Sequence, residues 1–195
     1  MTDISLSCEC GKTQGIARGI SPDSGTRVVC YCDDCQAFAR HLGREDSVLD
    51  PWGGTDIFQT APAHIAITEG REYIRCLKLT PKGPYRWYAG CCNTPIANTG
   101  SASLPFAGMI TAFMEIPADE ERILGPVGWY LQGKYATKPL PPGRKIVGFP
   151  LSLLVQLFWN ILVWKLKGLG KPTPFFDEDG TPVTEPELVQ GRKEG

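Results

Sequence analysis

The chain has 195 residues, 42% of them hydrophobic and 21% charged, with a formal net charge of −1 at pH 7. That balance can bury a real core, and the length suits one domain with an extension. Near-neutral charge excludes a general draw of the whole chain to nucleic acid or acidic lipid.

The 22 Gly and 17 Pro predict many turns and short strands rather than a helical bundle. Residues 3–20 read as a strand, a turn broken at Gly11, and a second strand. TRVVCYC (26–32) is an apolar strand leading into a cysteine cluster, and Gln36 to Leu42 has helical spacing that Gly43 can end. TDIFQTA, HIAITEG and EYIRCLKLT follow as short strands, and Lys82-Gly83-Pro84 turns the last of them into YRWYAGCC as a hairpin. AGMITAF and VGWYLQG are further strand candidates. The expected fold class is mainly β and antiparallel, with short helices.

After residue 140 the character changes. KPLPPGRK (138–145) is a proline-rich joint and the best boundary candidate, dividing a domain at 1–140 from an extension at 141–195. The extension holds an apolar helix at about 150–168, followed by a polar tail. Pro150 suits the start of that helix and Gly168 its exit. From Leu151 to Lys167 the helix would be about 25 Å long, short of a bilayer core. Ser152, Gln156 and Asn160 form a polar stripe, which argues for packing on the domain or on a homodimer partner. Trp159, Trp164, Arg144, Lys145, Lys165 and Lys167 instead fit membrane-surface contact through residues 146–167, and spanning is a third reading.

The chemistry lies in the cysteines. MTDISLSCECGKTQG carries an early Asp and no apolar core, so neither a signal nor a transit peptide is expected. The expected location is the reducing cytoplasm, with peripheral membrane attachment as the alternative, and eight cysteines there suit metal ligands or reactive thiols better than disulfides. They fall as Cys8 and Cys10, then Cys30, Cys32 and Cys35, a lone Cys76, and adjacent Cys91 and Cys92. Residues two apart on a strand share a face, so each C-x-C can aim two sulfurs at one ion. Cys35 can return a third sulfur from the turn that opens the helix.

Zinc takes four ligands in structural sites and often three from protein in catalytic ones. The spacing therefore suggests two zinc ions per chain. Cys8, Cys10, Cys91 and Cys92 would form a closed site, and Cys30, Cys32 and Cys35 a site with a free position. With only His41 and His64 in the chain, a histidine-rich zinc site is excluded. Cys32-Asp33-Asp34-Cys35 is formally a redox pair, but two carboxylates between the thiols oppose thiolate formation. An iron–sulfur cluster normally wants four cysteines. Cys76 reads as a buried small hydrophobe, His41 as a capping or surface residue, His64 as solvated, and Asp33 and Asp34 as helix caps rather than an acid–base pair.

The ordered elements Cys8-Glu9-Cys10-Gly11, Cys30-Tyr31-Cys32-Asp33-Asp34-Cys35 and Cys91-Cys92-Asn93-Thr94-Pro95 resemble the glutathione-dependent formaldehyde-activating (Gfa/centromere protein V) family over about residues 4–115. The resemblance implies a tent-like zinc-bound β-sandwich. It also implies a structural zinc on the first and third elements and a thiol-accessible zinc on the central one. The implied activity is carbon–sulfur bond formation or lysis with a small thiol such as glutathione and a small aldehyde. A zinc held by three thiolates is a weak Lewis acid, better suited to presenting a thiolate than to polarising water. A non-catalytic structural or interaction module is the competing reading. One departure stands out: Ala89 occupies the first cysteine position of the late motif, and Cys91 sits beside Cys92. Cys91 can substitute only if a bulge or turn brings both side chains to one side. Asn93, in place of glycine, can adopt the left-handed conformation such a turn needs.

Overall fold

The computed structural model describes residues 1–117, 120–144 and 146–189. The fold is mainly β, with two sheets that share one core. The small sheet has the order β1-β2-β5, from β1 (Thr2–Ser7), β2 (Gln14–Ile20) and, later in the chain, β5 (Ile65–Glu69), all antiparallel. Between them come β3 (Thr26–Cys30), α1 (Asp33–His41), α2 (Glu45–Val48) and β4 (Thr55–Thr60). After β5 the chain builds β6 (Ile74–Lys78), β7 (Tyr85–Ala89), β8 (Thr94–Thr99) and β9 (Ala107–Ile110). It then forms α3 (Glu120–Leu124), β10 (Trp129–Leu131), β11 (Ile146–Val147), α4 (Leu151–Leu166) and β12 (Glu187–Leu188). The large sheet runs β11-β10-β3-β4-β9-β8-β7-β6-β12. Its centre is antiparallel as expected, while β10 pairs in parallel with β3 and β11, and β12 with β6.

Alternation explains the shared core. Ile4 and Leu6 of β1 and Ala17 and Ile20 of β2 meet Phe58, Ile74, Trp87, Ala97 and Met109 of the large sheet, all buried. Trp87 donates its indole N–H to Thr99 Oγ1 at 2.9 Å, which satisfies its one polar atom in the interior. Strand β8 includes Pro95, which a central strand normally excludes. It stands opposite Tyr88, next to a β7–β8 bulge that leaves Ile96 unpaired between the Trp87–Ala97 and Tyr88–Pro95 pairs.

The C-terminal segment returns to this core. Phe175 stacks on Trp87 with ring centroids 5.2 Å apart, and Phe176 meets it edge-on at 5.5 Å. Composition alone reads as a polar tail there, because two aromatics among Pro, Gly and acids carry no periodicity.

α4 lies over β3. Leu153 and Trp164 are buried, and Gln156 and Asn160 donate to Thr26 Oγ1 at 3.3 and 3.4 Å. Gln156 and Asn160 of the expected polar stripe thus turn toward the domain. The same face takes Trp164 inward, so it is not a surface anchor. Arg144 is likewise engaged: it hydrogen-bonds Tyr31 and Asp50 and stacks over Trp52 and Tyr130. Lys145 lies outside the described residues. No helix among the described residues is long and apolar enough to cross a membrane.

Candidate metal centres

The first centre closes between two turns 81 residues apart. Cys8 ends the approach from β1, and Gly11, at φ +73°, turns the chain back toward β2 with its N–H on Cys8 O at 2.8 Å. The opposite turn joins β7 to β8. Asn93 sits at φ +60° and donates to Ala89 O at 2.7 Å, so Cys91 and Cys92 belong to a tight turn and not to a strand. This is the geometry that lets adjacent residues converge. Ala89, at the expected cysteine position, is buried in β7 instead.

The sulfurs lie 3.6 Å apart for Cys8–Cys10, 3.6 Å for Cys8–Cys91, 3.4 Å for Cys10–Cys91 and 3.9 Å for Cys91–Cys92. Four thiolates around a tetrahedral ion, each about 2.3 Å away, would be spaced about 3.8 Å apart. The donor set and its spacing fit such an ion. Thr13 N–H donates to Cys8 Sγ at 3.2 Å, and the Thr94 hydroxyl sits 3.2 Å from Cys92 Sγ. Burial pushes the Cys92 thiol up, but the Thr94 hydroxyl and the backbone of Cys10 and Thr94 outweigh it and bring it down to about 6. Burial and the neighbouring Cys10 sulfur push Cys91 up to about 12. Four thiolates together therefore require a cation.

Arg44, just past α1, donates to the carbonyl of Cys92 and pairs with Glu9, clasping both turns. Spacing gave no sign of it. Its placement depends on Gly43, which ends α1 at φ +64°.

The second centre gathers Cys30, Cys32 and Cys35, whose sulfurs lie within 4.8 Å of one another. Cys30 ends β3, Cys32 is the N-cap of α1, and Cys35 donates its N–H to Cys32 Sγ at 3.4 Å. The helix is therefore capped by the cysteine sulfur. Asp33 and Asp34 fill its first turn, where they suit the helix dipole, and Asp33 accepts the N–H of Asp34 at 3.0 Å.

The residue between the two C-x-C sulfurs is fixed separately. Tyr31 donates to Asp50 Oδ2 at 2.9 Å, and the side chain of Gln36 holds Tyr31 O at 2.8 Å. Cys30 and Cys35 are buried and Cys32 is half-buried. Val28, Ile57, Leu131, Trp129 and Leu153 of α4 surround them.

Arg86, unforeseen from the sequence, is a buried guanidinium on β7. It sits 3.7 Å from Asp34, bonds Asn98 Oδ1 at 3.2 Å and lies over the Phe38 ring. Its Nε has no hydrogen-bond partner among the described residues. Hydrogen bonds from Cys30 and Cys32 hold Cys35 well below the usual thiol range against the effect of burial, and Arg86 acts in the same direction. Its neighbours hold Cys30 well above that range, through hydrogen bonds to Cys32 and Cys35. Three thiolates packed this closely would need a positive ion to offset their charge.

Cys76 joins neither group. It is buried in β6, and desolvation pushes its thiol up to about 12. His64 is half-buried and bonds Thr60 Oγ1 through Nδ1 at 2.9 Å, where simple solvation was expected. His41 is exposed in the last turn of α1.

A mainly β scaffold carrying one group of four convergent cysteines and one of three defines a cysteine-rich protein with two candidate metal centres. The chain belongs to DUF6151, a family of unknown function, whose profile matches residues 1–187. A comparison with curated proteins found no match.

Proposed function

We propose that the chain is a zinc protein in which Cys8, Cys10, Cys91 and Cys92 form a closed structural site and Cys30, Cys32 and Cys35 an open one. At the open site it would act on a small thiol such as glutathione and a small aldehyde, as a carbon–sulfur bond-forming or lyase enzyme of the Gfa type. The observation that carries this reading is the asymmetry of the two groups: four ligands converge in one and three in the other, with no fourth Cys, His, Asp or Glu in that group among the described residues. The Gfa resemblance of the three cysteine elements supports it.

When bound, a three-thiolate zinc supplies a position that holds an incoming thiol deprotonated at neutral pH. The chain's own residues do the rest. Cys30 and Cys35 are anchored in the interior, while Cys32, half-exposed, marks the side from which a thiol approaches. Arg86 places a fixed positive charge beside Cys35, which offsets part of the negative charge of the cluster. In the addition, the sulfur–carbon bond forms, the carbonyl π bond breaks, and the thiol proton ends on the oxygen as a hydroxyl; lysis is the reverse.

The test is exchange NMR of hemithioacetal formation from glutathione and formaldehyde, with the spontaneous rate subtracted. Wild-type protein should accelerate exchange, and Cys32→Ser should lose the acceleration while keeping the fold. The burial of Cys30 and Cys35 equally suits a structural centre that ties β3 to α1. No acceleration across several thiols and aldehydes, with no thiol binding at this cluster, would assign that role instead.

A further inference from the structure

α4 is apolar on nearly all sides, and only one face is used. Leu153, Gln156, Asn160 and Trp164 recur at helical spacing and turn toward β3. Opposite them, Leu151, Leu154, Val155, Phe158, Trp159, Leu162 and Leu166 are each at least 36% exposed. Phe158 stands 69% and Trp159 62% exposed, and a contiguous apolar stripe of this kind marks an interaction surface.

The charge around the stripe indicates what covers it. No Asp or Glu occurs from Ile123 to Phe176, a stretch that holds six lysines and Arg144. Net neutrality of the whole chain conceals this asymmetry. Lys165 and Lys167 are exposed at the C-terminal end of the helix. Beside that end a cleft of about 480 Å³ is lined by Trp159 and Trp164, by Arg18 and Lys167, and by Asp23. A second copy of α4 would bring apolar surface but no carboxylate to meet these lysines. Anionic lipid headgroups above an acyl boundary supply both partners.

We propose that this face docks the protein on the surface of an anionic bilayer, with α4 lying in the plane of the interface. The folded domain takes the place of the polar face that such a helix normally carries. At sixteen residues α4 is about 24 Å long and has one side committed to the domain, so it lies on the membrane and does not span it.

The experiment is flotation of the full chain with phosphatidylcholine vesicles, with and without about 30% phosphatidylglycerol. Anionic vesicles should bind, salt should weaken the binding, and phosphatidylcholine alone should bind poorly. Phe158→Glu should cut partitioning by at least about tenfold, since it removes an exposed ring that inserts. Lys165→Gln and Lys167→Gln should each cost about fivefold. Trp159 is the one mostly exposed tryptophan among the described residues, so brominated lipid should quench a signal that Trp159→Phe removes. Unchanged melting of these surface variants separates lost docking from lost fold. Absence of binding to anionic vesicles would overturn the proposal. So would a concentration-dependent dimer in sedimentation that Phe158→Glu abolishes without any effect on lipid, which would make a second copy the occupant.

Discussion

The sulfur atoms of Cys10 and Cys91 lie 3.4 Å apart across 81 residues of chain. Closing so long a loop costs chain entropy. A metal ion at this point would act as a cross-link between the N-terminal hairpin and the β7–β8 turn, and its binding energy would be part of the folding energy. Cys10→Ser should therefore lower stability by at least about 3 kcal/mol, the scale of losing a native cross-link. For a chain of this size that is roughly 6–12 °C in melting temperature. Cys32→Ser, which removes a ligand joining only neighbouring segments, should cost less than half as much. Circular dichroism melts of the two variants, each with and without a strong chelator, check the ordering. Equal losses would remove the distinction between the sites.

A second prediction concerns the core. Phe175 is fully buried on Trp87, and its loss leaves a cavity beside the largest buried side chain. Phe175→Ala should destabilise by about 3–5 kcal/mol. Denaturant unfolding followed by circular dichroism measures it. A loss below about 1 kcal/mol would show that the segment after α4 is only loosely attached.

The cysteine groups were legible because their chemistry is local: C-x-C spacing and the turn before α1 confine three sulfurs to one place whatever the rest of the chain does. Joining Cys8 and Cys10 to Cys91 and Cys92 was legible as a pattern, but its geometry depended on Asn93 taking a left-handed conformation. That makes a turn of what reads as the end of a strand. Arg44 and Arg86 were not legible. Each reaches its centre through tertiary placement, Arg86 from inside a strand where a buried charge is uncommon. β8 was obscured by Pro95, and the role of Phe175 by the composition of its surroundings. The polar stripe of α4 was evident, whereas its partner on β3, Thr26, lies more than a hundred positions away in sequence.

A third prediction follows from His64. Burial lowers its pKa from the usual 6.5, and its Nδ1 bonds Thr60. As pH falls below 6.5 the unfolded chain takes up a proton that the folded protein resists. Stability is therefore fully present above that pH and is lost as pH drops through the folded-state pKa. His64→Gln should flatten this part of the profile while leaving the acid response of the cysteine groups in place. Melting temperatures of both proteins across this range provide the check, and parallel curves would show that His64 does not contribute.

The central claim is that seven cysteines hold two zinc ions, one with four protein sulfurs and one with three. Native mass spectrometry joined to zinc-edge X-ray absorption on protein purified without added metal tests it most directly. The account predicts two zinc ions per chain in a sulfur-rich shell at about 2.3 Å. It also predicts that Cys32→Ser removes or loosens one ion and spares the other. A folded, metal-free protein with these cysteines paired in disulfides would contradict it.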